Sequence, residues 1–400
     1  MVGPYKGLFE RPGVKAFVLA GLIGRMPMSM QGIGIILLIS TLTADYAIAG
    51  AVSAVTNVAF AIAAPMSGRL VDRFGQGRVI PPFVVVNAFA LAALMLLAGA
   101  GLPDWTFYAA GLIVGATSLS IGSMVRARWS VLYGGSGRLH TAFSFESVAD
   151  EVVFVAGPAL VTVLATVVNP YAGLIVALLC MVAGSLALAA QRGTQPPVRE
   201  ARQTSGSPIL IPGVAMLACV SLALGAIFGS VDLTTVAFAE EHGAKAASGF
   251  LLATFAGGSM VSGLWFGSRS WRISLRARFV RALALFMVGL VPIMFIDSLW
   301  VMAGALFLAG FAISPTLITA FSLTERLVPP ALLTEGMAWI STAIGFGVAA
   351  GAWAGGHITQ EYGSSSAYVF SVAAAAVAVV VGIGGSGLLR LPEAASPSES

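Results

Sequence analysis

Apolar positions along this chain neither alternate with polar ones nor collect on a single helical stripe. They fill runs of about twenty residues, the length a helix needs to cross the hydrocarbon core of a bilayer. Twelve such runs recur, over residues 14–40, 46–66, 79–100, 104–126, 141–165, 170–190, 209–238, 247–267, 278–298, 299–323, 334–357 and 365–389. The pattern predicts an all-α membrane protein of twelve transmembrane helices. The first run is too long for the apolar part of a signal peptide and has no cleavage site behind it, so it reads as a retained span.

The polar breaks are short except at 191–208, a stretch rich in Pro, Ser and Arg that reads as a linker. It divides the chain into six-helix bundles at 1–190 and 209–390, and residues 391–400, LPEAASPSES, read as a disordered tail. Shifting the chain by about 195 residues brings the halves into partial register. Gly68 then meets Gly263, and one residue off that shift Leu139 meets Leu333 and Gly157 meets Gly351. Two halves with this parity are the layout of a transporter whose site lies at the midplane between them.

Composition agrees, with 58% hydrophobic and 10% charged residues, against about 25% charged in soluble domains. The net charge of +4 raises nucleic acid as a partner, but its distribution removes that reading. With the amino terminus inside, Lys and Arg fall at cytoplasmic ends or loops, leaving only Lys245 outside and Arg25 within a span. That bias is topological and predicts a multi-pass protein with both termini in the cytoplasm. Arg outnumbers Lys, and Ala, Gly and Val are abundant, which fits a GC-rich bacterial genome, so the expected location is a bacterial inner membrane. Cys180 and Cys219 both fall in spans, and no loop pair is left to bridge. His140, His242 and His357 lack metal-ligand spacing, and no phosphate-binding loop is present, so neither metal nor cofactor is expected.

Candidate chemistry centres on FSFESVADEVVFVAGP, residues 143–158, which puts Glu146, Asp150 and Glu151 inside an apolar run. Carboxylates in hydrocarbon are expensive and are normally functional or paired. Glu146 and Asp150 share a helical face, while Glu151 points about 100° away. Arg25 lies about 15 Å into the first run at 1.5 Å per residue, too deep to snorkel, and needs a partner.

A second signal is GRLVDRFGQGRVI, residues 68–80, where Gly68 permits close packing, Asp72 supplies an acid, Gly75 and Gly77 permit a tight reversal, and Arg73 and Arg78 anchor the turn. This resembles the loop signature of the major facilitator superfamily, G-x-L-x-D-R-x-G-R-[KR]. Gly68, Leu70, Asp72, Arg73 and Gly75 match, while Gln76 and Gly77 depart from its basic positions. With twelve spans in two halves, the resemblance covers essentially the whole chain.

The resemblance implies that Asp72 sits near the amino terminus of the eleventh helix, where the helix dipole favours an anion, and latches one conformation with Arg73 and Arg78. The repeat copy at Gly263 lacks the acid, so the latch is one-sided. Runs one and five are neighbours in the family fold, so Arg25 is expected to pair with Glu151 or Asp150, either as a static bridge or as a titrating one. In one arrangement Arg25 neutralises Glu151 while Asp150 faces the cavity as the proton candidate. Glu146 then reads as a wet residue at the mouth beside Arg126 or Arg128. Of the family's helix-five antiporter signature, G-x-x-x-G-P-x-x-G-G, the chain keeps only Gly157-Pro158, with Val153 and Val161-Thr162 at the other glycine positions, and the pair predicts a kink in helix five. Helix seven lines the family's cavity, so Asp232 is a candidate for substrate or proton, with Met28, Gln31, Phe145 and Phe228 as further cavity residues.

The expected function is secondary active transport by a monomer, with proton-coupled export of a small hydrophobic or amphipathic compound by alternating access. Scarce amides in the spans favour an apolar substrate. The alternatives are an uptake symporter or facilitator of a small metabolite, and a non-transporting membrane receptor or scaffold. No enzymatic chemistry is expected.

Overall fold

The computed structural model describes residues 3–43, 46–100, 102–198, 206–244 and 247–389. Asp45, Lys245, Arg199, Arg202, Arg390 and the tail at 391–400 lie outside the described residues. Regular structure among the described residues is helical, and twelve helices are long and apolar enough to cross a membrane. In chain order the spans are Val14–Thr43, Ile48–Phe74, Gln76–Gly99, Trp105–Tyr133, Gly137–Val168, Ala172–Ala190, Pro212–Glu241, Ser248–Gly267, Leu275–Phe295, Leu299–Leu327, Pro330–Tyr362 and Ser364–Leu389. Spans one to six pack chiefly on one another, as do spans seven to twelve. The halves meet where span two lies on span eleven and span five lies on spans eight and ten.

The turns at Gly75, Gly134–Ser136, Ser268–Ser274 and Val328–Pro329 gather on one side of the bundle with the described parts of the 191–211 segment. We call it the basic face, because most Lys and Arg lie there. The reversal between spans two and three is made by Gly75 alone, at φ +86°, a conformation that costs glycine little and other residues much.

The repeat is visible in the backbone. Span four is broken between Trp105–Thr117 and Ile121–Tyr133, and span ten between Leu299–Gly310 and Ile313–Leu327, at matching places in the two halves. In span four the break is held by Asn87 of span three, whose buried amide donates to Val114 O at 2.7 Å and to the hydroxyls of Thr117 and Ser118. Buried carbonyls released by a broken helix need such a donor.

Small residues set the tightest crossings, as expected where helices associate without a hydrophobic drive. A Cβ at Gly157 of span five would meet Ser29 of span one, and a Cβ at Gly351 of span eleven would meet Ala226 of span seven. Gly157 and Gly351 therefore do the same work in each half. Gly347 and Gly355 extend the stripe along span seven, which answers with Gly225 and Gly229. Gly351→Val is expected to separate spans seven and eleven and cost at least about 1–3 kcal/mol. Thermal unfolding in detergent checks this, and an unchanged midpoint would contradict the close crossing.

Candidate functional site

Near the middle of the first half, spans one, four and five bring together two cations and two anions. Arg25, 3% exposed, donates from Nη2 to Glu146 Oε2 and from Nη1 to Asp150 Oδ1 at 2.7 Å. Arg126 of span four closes on Asp150 Oδ2 at 2.5 Å. Trp129 Nε1 donates to Glu146 Oε1 at 2.7 Å. Each carboxylate thus has two donors, as a buried anion requires. The sum of the four charges is zero. From the other half, Phe321 of span ten lies 4.1 Å beneath the Arg126 guanidinium, a cation–π contact.

This arrangement decides one expectation and corrects others. Of the two partners expected for Arg25, Asp150 is the one it takes, with Glu146 beside it and Glu151 left out, because the i,i+4 pair shares the face turned to span one. Glu146 is no wet mouth residue: it is 1% exposed. Asp150 is clamped between two guanidinium groups. Arg128 does not approach Glu146 either; it is fully buried and donates to Gln76 Oε1, Leu188 O, Gln191 O and Thr194 Oγ1, pinning the start of the linker.

Glu151, one helical step around, looks across the division between the halves. Its Oε1 accepts from Ser259 Oγ of span eight at 2.6 Å, and Ser259 in turn lies 3.0 Å from Ser314 Oγ of span ten. No cation bridges to it among the described residues. Asp232 of span seven is exposed and lies within electrostatic range of Glu151. Glu151 of the first half and Asp232 of the second thus lie within electrostatic range of each other, and among the described residues neither is in an ion pair.

The remaining candidates divide. Met28 is 47% exposed, and Gln31 is buried with its Nε2 unpartnered among the described residues. Phe145 and Phe228 are partly buried; Phe145 meets Phe9 edge-on at 5.4 Å, and Phe228 packs toward Phe286 of span nine. Helix five runs unbroken through Pro158 to Val163, and the irregular turn follows at Leu164–Val168. Among the described residues no group of three or more His, Cys, Asp and Glu is placed to hold a metal ion.

At the basic face Asp72 accepts the backbone N–H groups of Thr334 at 3.2 Å and Glu335 at 2.9 Å, in the first turn of span eleven. A carboxylate there satisfies two orphan donors and the helix dipole together. Gly68 allows the approach, since a Cβ would stand 3.0 Å from Glu335 Cα. The cation in this network is Arg69, bidentate on Glu335 at 2.8 and 3.2 Å. Arg73 instead lies over Phe74, and no ion pair joins Arg73 or Arg78 among the described residues. Arg69, three residues ahead of Asp72 on span two, takes Glu335 in place of the expected Arg73 and Arg78 because i and i+3 lie on one side of the helix. Asp72→Ala is expected to weaken the latch by about 1.5–3 kcal/mol, the worth of hydrogen bonds to a charged group. Spin-label distances between the span two–three turn and the span ten–eleven loop should lengthen, and an unchanged distribution would contradict it.

The sequence profile of the Major Facilitator Superfamily matches residues 17–267 and again 215–399. The chain belongs to that superfamily and is a multi-pass membrane transporter, not an enzyme. No curated protein matches it in sequence. Among solved structures it is similar to a bacterial homologue of the iron transporter ferroportin in its outward-facing state, at 16% identity and TM-score 0.75 over 93% of this chain and 99% of that one. It is also similar to the human organic anion transporter MFSD10 (TETRAN), at 16% identity and TM-score 0.74 over 95% and 100% of the two chains. A third is the transporter FucP in its outward conformation, at 14% identity and TM-score 0.69 over 92% and 98%. At these identities the likeness is one of fold.

Proposed function

We propose that the chain exports a small hydrophobic or amphipathic compound across a bacterial inner membrane in exchange for protons, by rocking of the bundles 1–190 and 209–390. The observation that carries this reading is Glu151, an acid with no ion-pair partner among the described residues, which Ser259 of span eight holds between the halves. A carboxylate there changes its hydrogen bonding whenever the halves part, so its proton occupancy and the conformation are linked. Asp232 lies within electrostatic range of it in the second half and is the proposed contact for substrate or a second proton. The neutral Arg25, Arg126, Glu146 and Asp150 cluster holds span five in place for that exchange. With the basic face in the cytoplasm, the Asp72 latch closes the cytoplasmic side, and the outward-facing states of two similar structures fit that assignment.

The test is flux in proteoliposomes with a panel of permanently charged amphipathic dyes such as ethidium, which a pH difference alone does not trap. Proton exchange predicts accumulation when the lumen is acid. Accumulation only when the bath is acid would make the protein a symporter, and silence across the panel would favour a receptor or scaffold.

A further inference from the structure

The second half has lost the acid that latches the first, and the two copies can be compared position by position. Gly68 corresponds to Gly263 and Asp72 to Gly267, while the start of span eleven corresponds to the start of span five. In the first copy, Asp72 of span two takes the backbone N–H groups of Thr334 and Glu335. In the second copy the polarity is reversed. Thr141 Oγ1 of span five donates to Gly267 O of span eight at 2.9 Å, and His140 Nε2 lies 3.0 Å from Phe266 O. A carbonyl only accepts, so that His140 nitrogen carries its proton.

The Phe266 and Gly267 carbonyls, at the end of span eight with no following helical turn, need such donors, and Trp271 Nε1 gives Phe266 O another at 3.0 Å. A further donor from the first half reaches carbonyls one turn earlier, one of which, Leu264 O, already accepts from Ser268 N. Tyr5, in the segment ahead of span one, places its hydroxyl 3.0 Å from Leu264 O and 3.3 Å from Gly263 O. Its own segment is tied to the first half: Tyr133 Oη donates to Leu8 O at 3.0 Å, Leu8 is fully buried, and Phe9 packs on Phe145. Gly267 has no side chain to fill the space, and a Cβ there would stand 2.6 Å from the Tyr5 hydroxyl. The amino-terminal segment is thus anchored on spans four and five and reaches across to span eight.

We infer that residues 5–10 supply the missing half of the gate at the basic face, with Tyr5 as a positioning residue that joins the halves where the repeat lost its acid. This latch is neutral and made of donors to carbonyls, so it is insensitive to salt in a way that the Arg69–Glu335 pair is not. Opening of the basic face requires Tyr5 to leave Gly263 and Leu264.

The test uses the full chain in lipid nanodiscs, with Cys180→Ala and Cys219→Ala as background and spin labels at the exposed positions Gly137→Cys and Ser270→Cys. Tyr5→Phe keeps the buried ring and removes only the hydroxyl. It is expected to raise the ratio of long to short label distances about fivefold, the scale of one net hydrogen bond. Thr141→Val, which keeps the side chain's shape, should move the same ratio in the same direction. Unchanged distances in both variants would overturn the inference, as would a lowered unfolding temperature with no change in distance, since that marks a merely structural contact.

Discussion

Arg25→Leu is expected to destabilise the protein by about 3–5 kcal/mol, the cost of breaking a buried ion pair from one side. The reason is what remains. Asp150 keeps Arg126, but Glu146 is left at 1% exposure with the Trp129 N–H as its donor and no cation. The cluster is neutral with Arg25 present and carries a net negative charge without it. Thermal unfolding in detergent reads the effect. Adding Glu146→Leu should recover much of the loss, because replacing a whole buried pair by apolar groups is often close to neutral. An Arg25→Leu protein that unfolds with the wild type would show that the cluster does not hold spans one and five together.

Glu151→Gln is expected to leave the fold intact and to lower proton-driven transport by about two orders of magnitude, the scale on which loss of a proton-carrying side chain acts. Glutamine is nearly isosteric and its carbonyl oxygen still accepts from Ser259. What it cannot do is exchange a proton. Asp150→Asn should behave differently, lowering stability through Arg25 and Arg126. Initial rates of dye accumulation beside unfolding temperatures separate the two, and equal loss of stability in both variants would contradict the division of roles.

The twelve spans were legible because hydrophobic length is a one-dimensional signal. Asp72 on span eleven was legible through the Gly68 motif. The pairing of Arg25 was not, since depth along a helix ranks Asp150 and Glu151 together and only the rotation of span five separates them. Trp129, Ser259 and Phe321 carried no sequence signal, being ordinary core residue types whose role exists only across helices. The Arg69–Glu335 pair likewise exists only across helices. The breaks in spans four and ten escaped notice because apolar periodicity continues through them, and Asn87, the donor that satisfies one, lies in a different span.

Coupling at Glu151 is most directly tested by proton movement driven by dye alone. Proteoliposomes holding a pH-sensitive dye in the lumen are given an inward ethidium gradient with no initial pH difference, for wild type and Glu151→Gln side by side. The account predicts that the wild-type lumen turns alkaline as protons leave in exchange, and that the variant lumen stays level. An equal rise in both, or ethidium entry through the wild type with no change in lumenal pH, would contradict it.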